Sequence, residues 1–270
     1  MGTFDEKNIL ITGASSGIGE AMTVALAKSS ANLYLTGRNR ERLTAVRDKC
    51  AEIRQGISMN TKAPELFQVD FANKQSIDDF VLAVMNEAVS FDYVILNAGV
   101  SQRALALETD FSVDRTIMET NFFGPVYLIK RLSAMFLTGK TVHIAVTSSI
   151  TGLFGFPLRS AYCASKHALF GFFESLELEY SYIKVTFLIP GRINTPISKS
   201  AIVGDGSNYS KMDVGQTGGM DVNKCAHIAL RAILKEKHRQ LIGGKELIMV
   251  YLKKYMPFLF YRLARKISAT

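Results

Sequence analysis

The stretch LITGASSGIG, residues 10–19, places three glycines between a short apolar run and a segment with helical spacing. Glycine adopts positive φ readily and lets another backbone approach closely, and the first turn of a helix presents unpaired N–H groups to an anion. The spacing GxxxGxG differs from the GxGxxG of the most familiar dinucleotide-binding turn. A glycine-rich turn alone is often only a turn, so its meaning depends on the segments around it.

Short apolar runs alternate with segments of helical spacing along most of the chain. The runs predict six buried strands: NILIT (8–12), NLYLTG (32–37), ELFQVD (65–70), YVILNAG (93–99), VHIAVTSS (142–149) and KVTFLIP (184–190). Helical spacing predicts helices over 18–30, 40–54, 76–88, 113–137 and 161–182. Such alternation is typical of a parallel sheet covered on both faces. We predict an α/β fold, a single doubly wound domain of the Rossmann type with a central parallel sheet flanked by helices.

The domain organisation follows from composition and length. The chain has 270 residues, 48% of them hydrophobic and 21% charged, and no break in composition divides it. We therefore predict one dinucleotide-binding and catalytic domain over residues 1–245. Within it, residues 191–219 are polar and rich in Gly and Ser, which is typical of a substrate lid or a disordered excursion.

Residues 246–270 form a basic and apolar tail outside that alternation. We predict that the tail covers a subunit interface or the mouth of a pocket. The alternative is a segment that lies on a membrane surface, with its aromatic residues at the headgroup boundary and its Lys and Arg residues against anionic lipid. Lys253, Lys254 and Pro257 interrupt the apolar run, so we predict no spanning helix.

Charge and cysteine content exclude several function classes. The formal net charge is +8, but no zinc-finger or RNA-binding aromatic pattern accompanies it, so we predict no nucleic-acid partner. Cys50, Cys163 and Cys225 are scattered without metal-ligand spacing, which favours a reducing compartment, no disulfide and no metal. The N-terminus lacks a basic segment followed by an apolar one, so we expect no cleaved signal peptide. We expect a cytoplasmic protein, with a peripheral position at a membrane surface as the alternative.

The end of the second predicted strand bears on the choice of dinucleotide. An Asp or Glu there binds the adenosine ribose hydroxyls and favours NAD, whereas this chain has Gly37 and Arg38. A guanidinium pairs with a 2′-phosphate in two parallel hydrogen bonds, so NADP(H) is favoured and NAD(H) stays open. We interpret Arg40 and Arg42 as solvated residues at a helix start.

Two further strand ends carry candidate ligand contacts. Asp70 ends the third predicted strand, where its carboxylate can accept a hydrogen bond from an adenine amino group. Asn97, Ala98 and Gly99 end the fourth, where small side chains suit a wall against a flat cofactor. Ligands of open α/β sheets bind at the carboxyl ends of the strands, so both ends point to the same place.

Tyr162 and Lys166 are one helical turn apart and share a helix face. A free tyrosine has a pKa of about 10, and a neighbouring ammonium lowers the pKa of the phenol toward neutrality. We therefore predict that Tyr162 is an acid/base catalyst tuned by Lys166. Ser149 is predicted to hydrogen-bond the substrate oxygen, and Asn121 to hold a water behind the lysine.

Together these motifs resemble the short-chain dehydrogenase/reductase family over residues 5–243. The resemblance rests on TGASSGIG, Asp70, the NAG of 97–99, Asn121, Ser149, the YxxxK of 162–166 and PGRINTP, residues 190–196. It implies a catalytic tetrad of Asn121, Ser149, Tyr162 and Lys166. It also implies cofactor contacts at Gly13, Ser15, Ser16, Gly17, Ile18, Gly19, Arg38, Asp70, Asn97, Ala98, Gly99, Tyr162, Lys166, Pro190, Gly191, Ile193 and Thr195. Ser15 and Ser16 stand where many NADP-preferring members carry a basic residue.

The resemblance implies an NADP(H)-dependent oxidoreductase that reduces a ketone to a secondary alcohol, or the reverse. YCASKHAL and the tail are similar to membrane-associated reductases related to dehydrogenase/reductase member seven, which act on lipid and steroid carbonyls. We predict a small hydrophobic substrate contacting Ser149, Thr151, Phe154 and Phe156, with Ile193 and Ile197 also placed to line the pocket, and a homodimer or homotetramer through helices 113–137 and 161–182. The alternatives are a non-catalytic NAD(P)-binding sensor or scaffold and an NAD-dependent alcohol dehydrogenase.

Overall fold

The computed structural model describes residues 3–57, 61–136 and 140–266, and strands and helices alternate through these ranges. The strands are β1 (Asn8–Thr12), β2 (Asn32–Gly37), β3 (Glu65–Gln68), β4 (Tyr93–Leu96), β5 (Val142–Thr147), β6 (Ile183–Pro190) and β7 (Arg239–Ile242). The helices are α1 (Gly17–Leu26), α2 (Arg40–Gly56), α3 (Lys74–Asn86), α4 (Phe111–Met118), α5 (Gly124–Phe136), α6 (Ser160–Glu179), α7 (Val214–Thr217), α8 (Val222–Leu234), α9 (Ile248–Tyr255) and α10 (Pro257–Ala264).

All seven strands form one parallel sheet in the order β3-β2-β1-β4-β5-β6-β7. The chain begins near the middle of the sheet and winds outward in one direction and then in the other. The winding reverses between β1 and β4, and open α/β sheets bind ligands at such a point, outside the carboxyl ends of the strands. The predicted doubly wound α/β fold is confirmed.

The apolar pattern of the sequence does not predict β7. Its sequence RQLI is short, its first residue is exposed, and only Ile242 is fully buried. Half-polar strands of four residues do not produce the continuous apolar run by which buried strands are identified. The strand extends the sheet by pairing with the second half of β6, from Phe187 beside Arg239 to Pro190 beside Ile242.

The helical segment predicted over 113–137 is present, but a π-helical turn interrupts it. The structure has α4, then a π-helical turn at Glu119–Phe123, then α5, and Leu137 lies outside the described residues. Gly124 packs directly on the carbonyl of Phe71, since a Cβ at position 124 would lie 2.2 Å from that oxygen. The wider turn turns Asn121 into the protein interior, where it is almost completely buried.

The sheet separates two apolar layers. One layer packs α1, α2 and α8 on the sheet, through residues such as Leu26 and Ile233. The other packs α3, α5 and α6, with Phe80 and Phe173 among its buried side chains. Because both faces of the sheet are covered, its central strands are buried along almost their whole length.

The predicted lid, residues 191–219, has more regular structure than the sequence suggests. It contains a 3-10 turn at Pro196–Ser198 and the short helix α7. Backbone bridges join Ile202 to Gln102 and to Asn208, and another joins Ile193 to Met220. The pairing gives hydrogen-bond partners to backbone groups that are packed against the domain.

The tail folds back onto the domain as α9 and α10. Phe260 of α10 is almost completely buried and meets the ring of Phe154 edge-on, with 5.1 Å between ring centroids. The tail therefore contributes to the same core as the sheet. Within the described ranges, none of the helices is long and apolar enough to cross a bilayer.

Candidate active site

The turn between β1 and α1 depends on the absence of side chains. Gly13 and Gly17 have φ values of 65° and 57°, in the left-handed region that favours glycine. A Cβ on Gly13 would lie 2.8 Å from Cα of Ala98, and a Cβ on Gly19 would lie 2.2 Å from the Gly13 carbonyl oxygen. Ser16 makes no side-chain cap on α1, so the first N–H groups of this helix face the turn as a site for an anion.

Thr12, the last residue of β1, joins the glycine turn to the end of β4. Its Oγ1 accepts hydrogen bonds from the backbone N–H of Asn97 at 2.9 Å and of Ala98 at 3.0 Å. The side-chain amide of Asn97 in turn donates to the Gly13 carbonyl at 3.5 Å. Thr12 is not among the predicted site residues, and its signal is a hydroxyl at the end of a mainly apolar strand.

A cleft of about 420 Å³ lies at the carboxyl ends of the strands, a size typical of sites for small ligands. Predicted site residues that line it are Gly13, Ser15, Ser16, Gly17, Ile18, Arg38, Asn97, Ala98, Gly99, Tyr162, Lys166, Pro190 and Thr195. From the lid, Ile197, Lys199, Ser200, Asn208 and Ser210 also line it. The glycine turn, the NAG segment and the YxxxK pair therefore face one shared space.

Lys166 lies on α6 at the inner wall of this cleft and is only 4% exposed. Its Nζ donates to the Thr147 carbonyl oxygen at 2.9 Å, at the end of β5. A Cβ on Gly99 would lie 3.4 Å from the same Nζ, so glycine leaves room for the ammonium. Burial lowers the pKa of Lys166 to about 8, because the charged form is poorly solvated there.

Tyr162 lies beside Lys166, with 5.8 Å between its ring centroid and Nζ. Burial raises the pKa of the phenol, and the charge of Arg159 and a hydrogen bond with Ser149 offset part of that rise. The expectation that Lys166 lowers this pKa is therefore not met here. The ammonium is held by the Thr147 carbonyl, and Arg159, one turn earlier, exerts the larger electrostatic effect on the phenol.

Ser149 follows β5 and begins a 3-10 turn at Ile150–Gly152. Its Oγ accepts hydrogen bonds from the backbone N–H and the hydroxyl of Thr151, at 3.2 and 3.0 Å. The Ser149 hydroxyl donates to the Pro190 carbonyl at 3.4 Å, a long bond that a better acceptor can replace. Its neighbour Ser148 lines the cleft, and the Ser148 hydroxyl donates to the Lys166 carbonyl at 3.0 Å, which fixes α6 to the end of β5.

Comparison with known proteins agrees with this arrangement. A family model described as short chain dehydrogenase matches residues 7–204. Dehydrogenase/reductase SDR family member 7B of Xenopus laevis is 35% identical over 258 residues, covering 94% of this chain and 80% of the relative. The same-named protein of Bos taurus is 36% identical over 258 residues, covering 94% and 79%. This chain is a short-chain dehydrogenase/reductase.

Solved structures show the same fold. A short-chain dehydrogenase/reductase from Burkholderia phymatum, in complex with NAD, superposes with a TM-score of 0.79 at 20% identity and covers 96% of each chain. A short-chain dehydrogenase from Sphingobium yanoikuyae, in complex with NADPH, gives a TM-score of 0.74 at 22% identity over 98% and 97% of the two chains. At this level of identity the likeness is one of fold.

In this short-chain dehydrogenase/reductase, the Asn121 side chain ties the loop after β4 to α6. Its Oδ1 accepts from the Val100 N–H at 2.8 Å, and its Nδ2 donates to the Val100 carbonyl at 2.9 Å and to Ser165 Oγ at 3.0 Å. Both amide protons are committed to protein partners. The water predicted behind Lys166 stays a prediction.

Three arginines near the start of α2 divide into two kinds. Arg38 and Arg42 are exposed and line the cleft. Arg40 turns away and donates to the Leu66 carbonyl at 2.6 Å. Arg42 is exposed at the start of α2, as interpreted from the sequence, and it also lines the cleft together with Arg38.

Several predicted cofactor residues stand behind the cleft wall. The Asp70 carboxylate accepts from the Ala72 N–H at 3.0 Å, while the flanking Val69 and Phe71 line the cleft. Gly19 packs against the glycine turn, and Gly191 lies against the carboxylate of Glu246. Ile193 is buried in the core beside α1 and α8, so these residues shape the site from behind.

The predicted substrate contacts also divide into residues that face the cleft and residues buried behind its wall. Phe154 is a core residue beneath Phe260, so its assignment to the pocket is wrong. Phe156 is half-buried, and the Arg159 guanidinium lies 5.5 Å from its ring centroid. Thr151 is buried against Ser149, and Ile197 of the lid faces the cleft. The sequence cannot distinguish apolar core from apolar pocket wall in this segment.

Proposed function

We propose that this enzyme is an NADP(H)-dependent oxidoreductase that reduces a ketone to a secondary alcohol, or catalyses the reverse, on a hydrophobic, lipid- or steroid-like substrate. The observation that carries the proposal is the position of Tyr162 and Lys166 on the same cleft as the glycine turn. When bound, a nicotinamide dinucleotide supplies or accepts the hydride. The protein's own task is then to bind the cofactor, orient the carbonyl and move one proton.

The glycine turn fits the cofactor's pyrophosphate. Side chains are excluded at Gly13 and Gly19, and the uncapped start of α1 offers backbone N–H groups to negative charge. The wall formed by Asn97–Gly99 is small and held by Thr12, which suits a flat ring. This part of the cleft is built as a cradle for a dinucleotide.

Tyr162 is the proposed acid/base. Because burial raises the pKa of its phenol, the protonated form dominates at neutral pH, and that form donates to a carbonyl oxygen during reduction. Ser149 Oγ is placed to give a second hydrogen bond to the same oxygen in exchange for its long bond to Pro190. Lys166 supplies a positive charge at the inner wall and can hold ribose hydroxyls.

The test of this step is Tyr162→Phe, assayed with NADPH and 9,10-phenanthrenequinone as a hydrophobic carbonyl probe. We expect kcat to fall by about 10²–10⁴-fold, the usual contribution of a positioned general acid, with NADPH binding unchanged. Tyr182→Phe, at the start of β6 and outside the cleft, is the matched control. Equal loss in both variants, or none in Tyr162→Phe, would remove Tyr162 from the reaction.

NADP(H) is the proposed cofactor because Arg38 and Arg42 both line the cleft at the end of β2, where no acidic residue stands. Their exposed guanidiniums suit a 2′-phosphate. Titration calorimetry with NADPH and NADH tests this. We expect Arg38→Ala and Arg42→Ala each to weaken NADPH binding by about tenfold or more and to leave NADH binding unchanged. Arg40→Ala, whose guanidinium is committed to Leu66, is the matched control.

Two alternatives make different forecasts in the same experiments. An NAD-dependent alcohol dehydrogenase would bind NADH as tightly as NADPH, with no effect of Arg38→Ala. A non-catalytic sensor or scaffold would bind cofactor but show no turnover that depends on Tyr162. The structure favours an enzyme over the sensor, because a buried ammonium beside a buried phenol is costly and a binding module does not need it.

We also propose peripheral membrane contact through the tail. Large apolar side chains crowd its outer face: Ile248, Tyr251, Tyr255, Met256, Phe258, Tyr261 and Leu263 are each more than a third exposed. The same helices carry Lys253, Lys254 and Arg262, while Arg265 and Lys266 follow α10, and the printed sequence has no acidic residue after Glu246. Aromatic rings among uncompensated cations match an anionic lipid surface. A second copy of the chain fits less well, since two such faces would bring like charges together.

Vesicle co-sedimentation tests this contact with phosphatidylcholine vesicles that contain or lack phosphatidylserine. We expect binding only to the anionic vesicles, lost in Phe258→Ser and reduced by about tenfold or more in the double variant Arg262→Gln/Arg265→Gln. Leu107→Ser and Arg115→Gln change exposed residues elsewhere and serve as controls. Sedimentation velocity separates the other outcome: a homodimer or homotetramer that dissociates in Phe258→Ser would assign this face to self-association instead.

A further inference from the structure

The loop after β4, the lid and the start of α6 meet at one short segment, Ser101, Gln102 and Arg103. The proposed reaction assigns no role to these residues. All three are buried, and Gln102 has no exposed surface. Fully buried Gln and Arg side chains are uncommon and are found only where their polar atoms are paired. Each atom of Gln102 that can form a hydrogen bond therefore needs a partner.

The Gln102 side chain supplies the cap that α6 lacks. Helix α6 begins after Arg159, whose side chain makes no capping bond. The Gln102 Oε1 accepts from the backbone N–H of Ala161 at 2.9 Å and of Tyr162 at 3.4 Å. First-turn N–H groups have no partner within their own helix, so a buried helix start needs such an acceptor. The capped N–H groups include that of the proposed acid/base itself.

The other end of the Gln102 amide fixes the cap in place. Its Nε2 donates to Thr109 Oγ1 at 3.1 Å and to Ser160 Oγ at 3.4 Å. The backbone on both sides of Gln102 pairs with the lid. The Ile202 N–H donates to the Ser101 carbonyl and the Arg103 N–H to the Ile202 carbonyl, each at 2.9 Å. The lid and the first turn of α6 are thus held by the same short segment.

Asp213 of the lid adds a second connection. Its carboxylate is buried and accepts from Arg103 through Nε at 3.2 and 3.1 Å and through Nη2. Arg159, just before α6, donates to the same carboxylate at 3.2 Å, and Ser198 Oγ does so at 3.1 Å. One carboxylate therefore joins the loop after β4, the lid and the residue that precedes the Tyr162 helix.

We infer that Gln102 and Asp213 are positioning residues for Tyr162: Gln102 caps the first turn of its helix, and Asp213 locks the lid to the same point. This inference rests on the proposed role of Tyr162 in proton transfer. Its consequence is that lid position and phenol position are set together, so a lid that opens also releases the segment that holds the cap. Errors of about 1 Å at a reacting group cost roughly 10²-fold in rate.

Hydrogen exchange tests the cap without any assay of activity. In Gln102→Leu we expect faster exchange at the amides of Ala161 and Tyr162, and in Asp213→Asn faster exchange across residues 198–213. Thr186→Val is the matched control, because it removes a buried side-chain hydrogen bond elsewhere, the 2.8 Å bond between Thr186 and His143 in the sheet. Unchanged exchange at Ala161 and Tyr162 in Gln102→Leu would overturn the capping assignment whatever the enzyme catalyses.

Kinetics with NADPH and 9,10-phenanthrenequinone test positioning. We expect Gln102→Leu to lower kcat by about tenfold or more with NADPH binding unchanged. Gln102→Glu keeps an oxygen for the two N–H groups, so it should restore the kcat plateau. Its added negative charge should raise the pKa of Tyr162 further and so move the alkaline limb of the pH–rate profile to higher pH. Arg159, Arg103 and Cys163 already act electrostatically on the Tyr162 phenol.

The outcomes separate the two proposals. If Gln102→Leu and Thr186→Val lower kcat alike, and Gln102→Glu restores nothing, Gln102 is a structural residue and the inference fails while the proposed function stands. If Tyr162→Phe retains wild-type turnover, the proposed function fails, and with it the kinetic part of this inference. The exchange data then still decide whether Gln102 caps the helix.

Discussion

The two halves of the cleft are built from different groups. In the cofactor half, around Gly13–Gly19 and Asn97–Gly99, the backbone forms the surface and side chains are excluded by distances as short as 2.2 Å. In the half proposed to react, around Tyr162 and Lys166, buried side chains form the surface, and burial shifts their pKa values. Substitutions should therefore act through sterics in the first half and through electrostatics in the second.

Gly19→Ala should give the largest effect and tests the steric half. The new Cβ would meet the Gly13 carbonyl at 2.2 Å, and backbone cannot move as a side chain can. We expect about 3 kcal/mol or more lost from the free energy of unfolding, together with cofactor binding. Urea denaturation measures it. Gly171→Ala is the control, since nothing lies within 4 Å of its Cβ position in α6, and it should stabilise slightly. Equal stability in both variants would break the comparison.

Lys166→Met tests the electrostatic half. Burial lowers the pKa of Lys166 from its ordinary 10.5 to about 8, so between these values the unfolded chain binds more protons than the folded one. The wild type is therefore destabilised progressively as pH falls from 10.5 to 8, by about 3 kcal/mol in total, and the full penalty persists below pH 8. Lys166→Met should be more stable than wild type at pH 7 and lose that advantage toward pH 10.5.

Denaturation of both proteins across that pH range provides the measurement, with exposed Lys224→Met as the control. A difference between wild type and Lys166→Met that stays constant with pH would show that Lys166 is not charged against a desolvation penalty. Turnover should be lost in Lys166→Met in spite of its greater stability.

Thr12→Val tests the junction between the halves. It leaves the part-buried N–H groups of Asn97 and Ala98 without their acceptor and should cost about 1–3 kcal/mol. Thr12→Ser keeps the hydroxyl and should cost much less. Thermal unfolding distinguishes them, and a loss in Thr12→Val no larger than that in Thr12→Ser would show that the two hydrogen bonds to Oγ1 do not join the halves.

Cys163→Ala should have the smallest effect. The thiol adjoins Tyr162 in sequence, but burial raises its pKa, so it stays protonated and behaves as a small apolar group. We expect kcat with the phenanthrenequinone probe to change by less than about twofold. A large loss would mean that the thiol belongs to the half proposed to react.

The cofactor half was largely predictable from sequence. Where a Cβ would collide with a neighbouring atom, only glycine fits. The turn and the wall at 97–99 can therefore be identified from their residue types. Buried parallel strands likewise appear in the sequence as apolar runs, and these runs predict six of the seven strands in the described sheet. The sequence does not single out Thr12 and Arg42, because their importance depends on the direction in which one side chain points.

For the half proposed to react, the sequence predicts that Tyr162 and Lys166 lie close together, but it does not predict how they affect each other's pKa. Spacing brings Tyr162 and Lys166 together, yet it contains nothing about burial, which reverses the expected direction of the phenol's pKa shift. The π turn that contains the buried Asn121 is followed by Gly124, which packs on the carbonyl of Phe71, a residue far away in sequence. Phe154 was predicted to line the pocket because the sequence does not show that Phe260 of α10 packs on its ring.

That cover has a consequence for the order of events during synthesis. Phe260, β7 and the Glu246 carboxylate that supports Gly191 all follow the first six strands in chain order. Nascent chains gain structure from the N-terminus onward. The strands and glycines of the dinucleotide cradle can therefore assemble before these later segments are synthesised. The edge of β6 stays uncovered until β7 has been made, and the ring of Phe154 until α10 has been made, so a product truncated before β7 would expose both while it kept the glycines of the cradle.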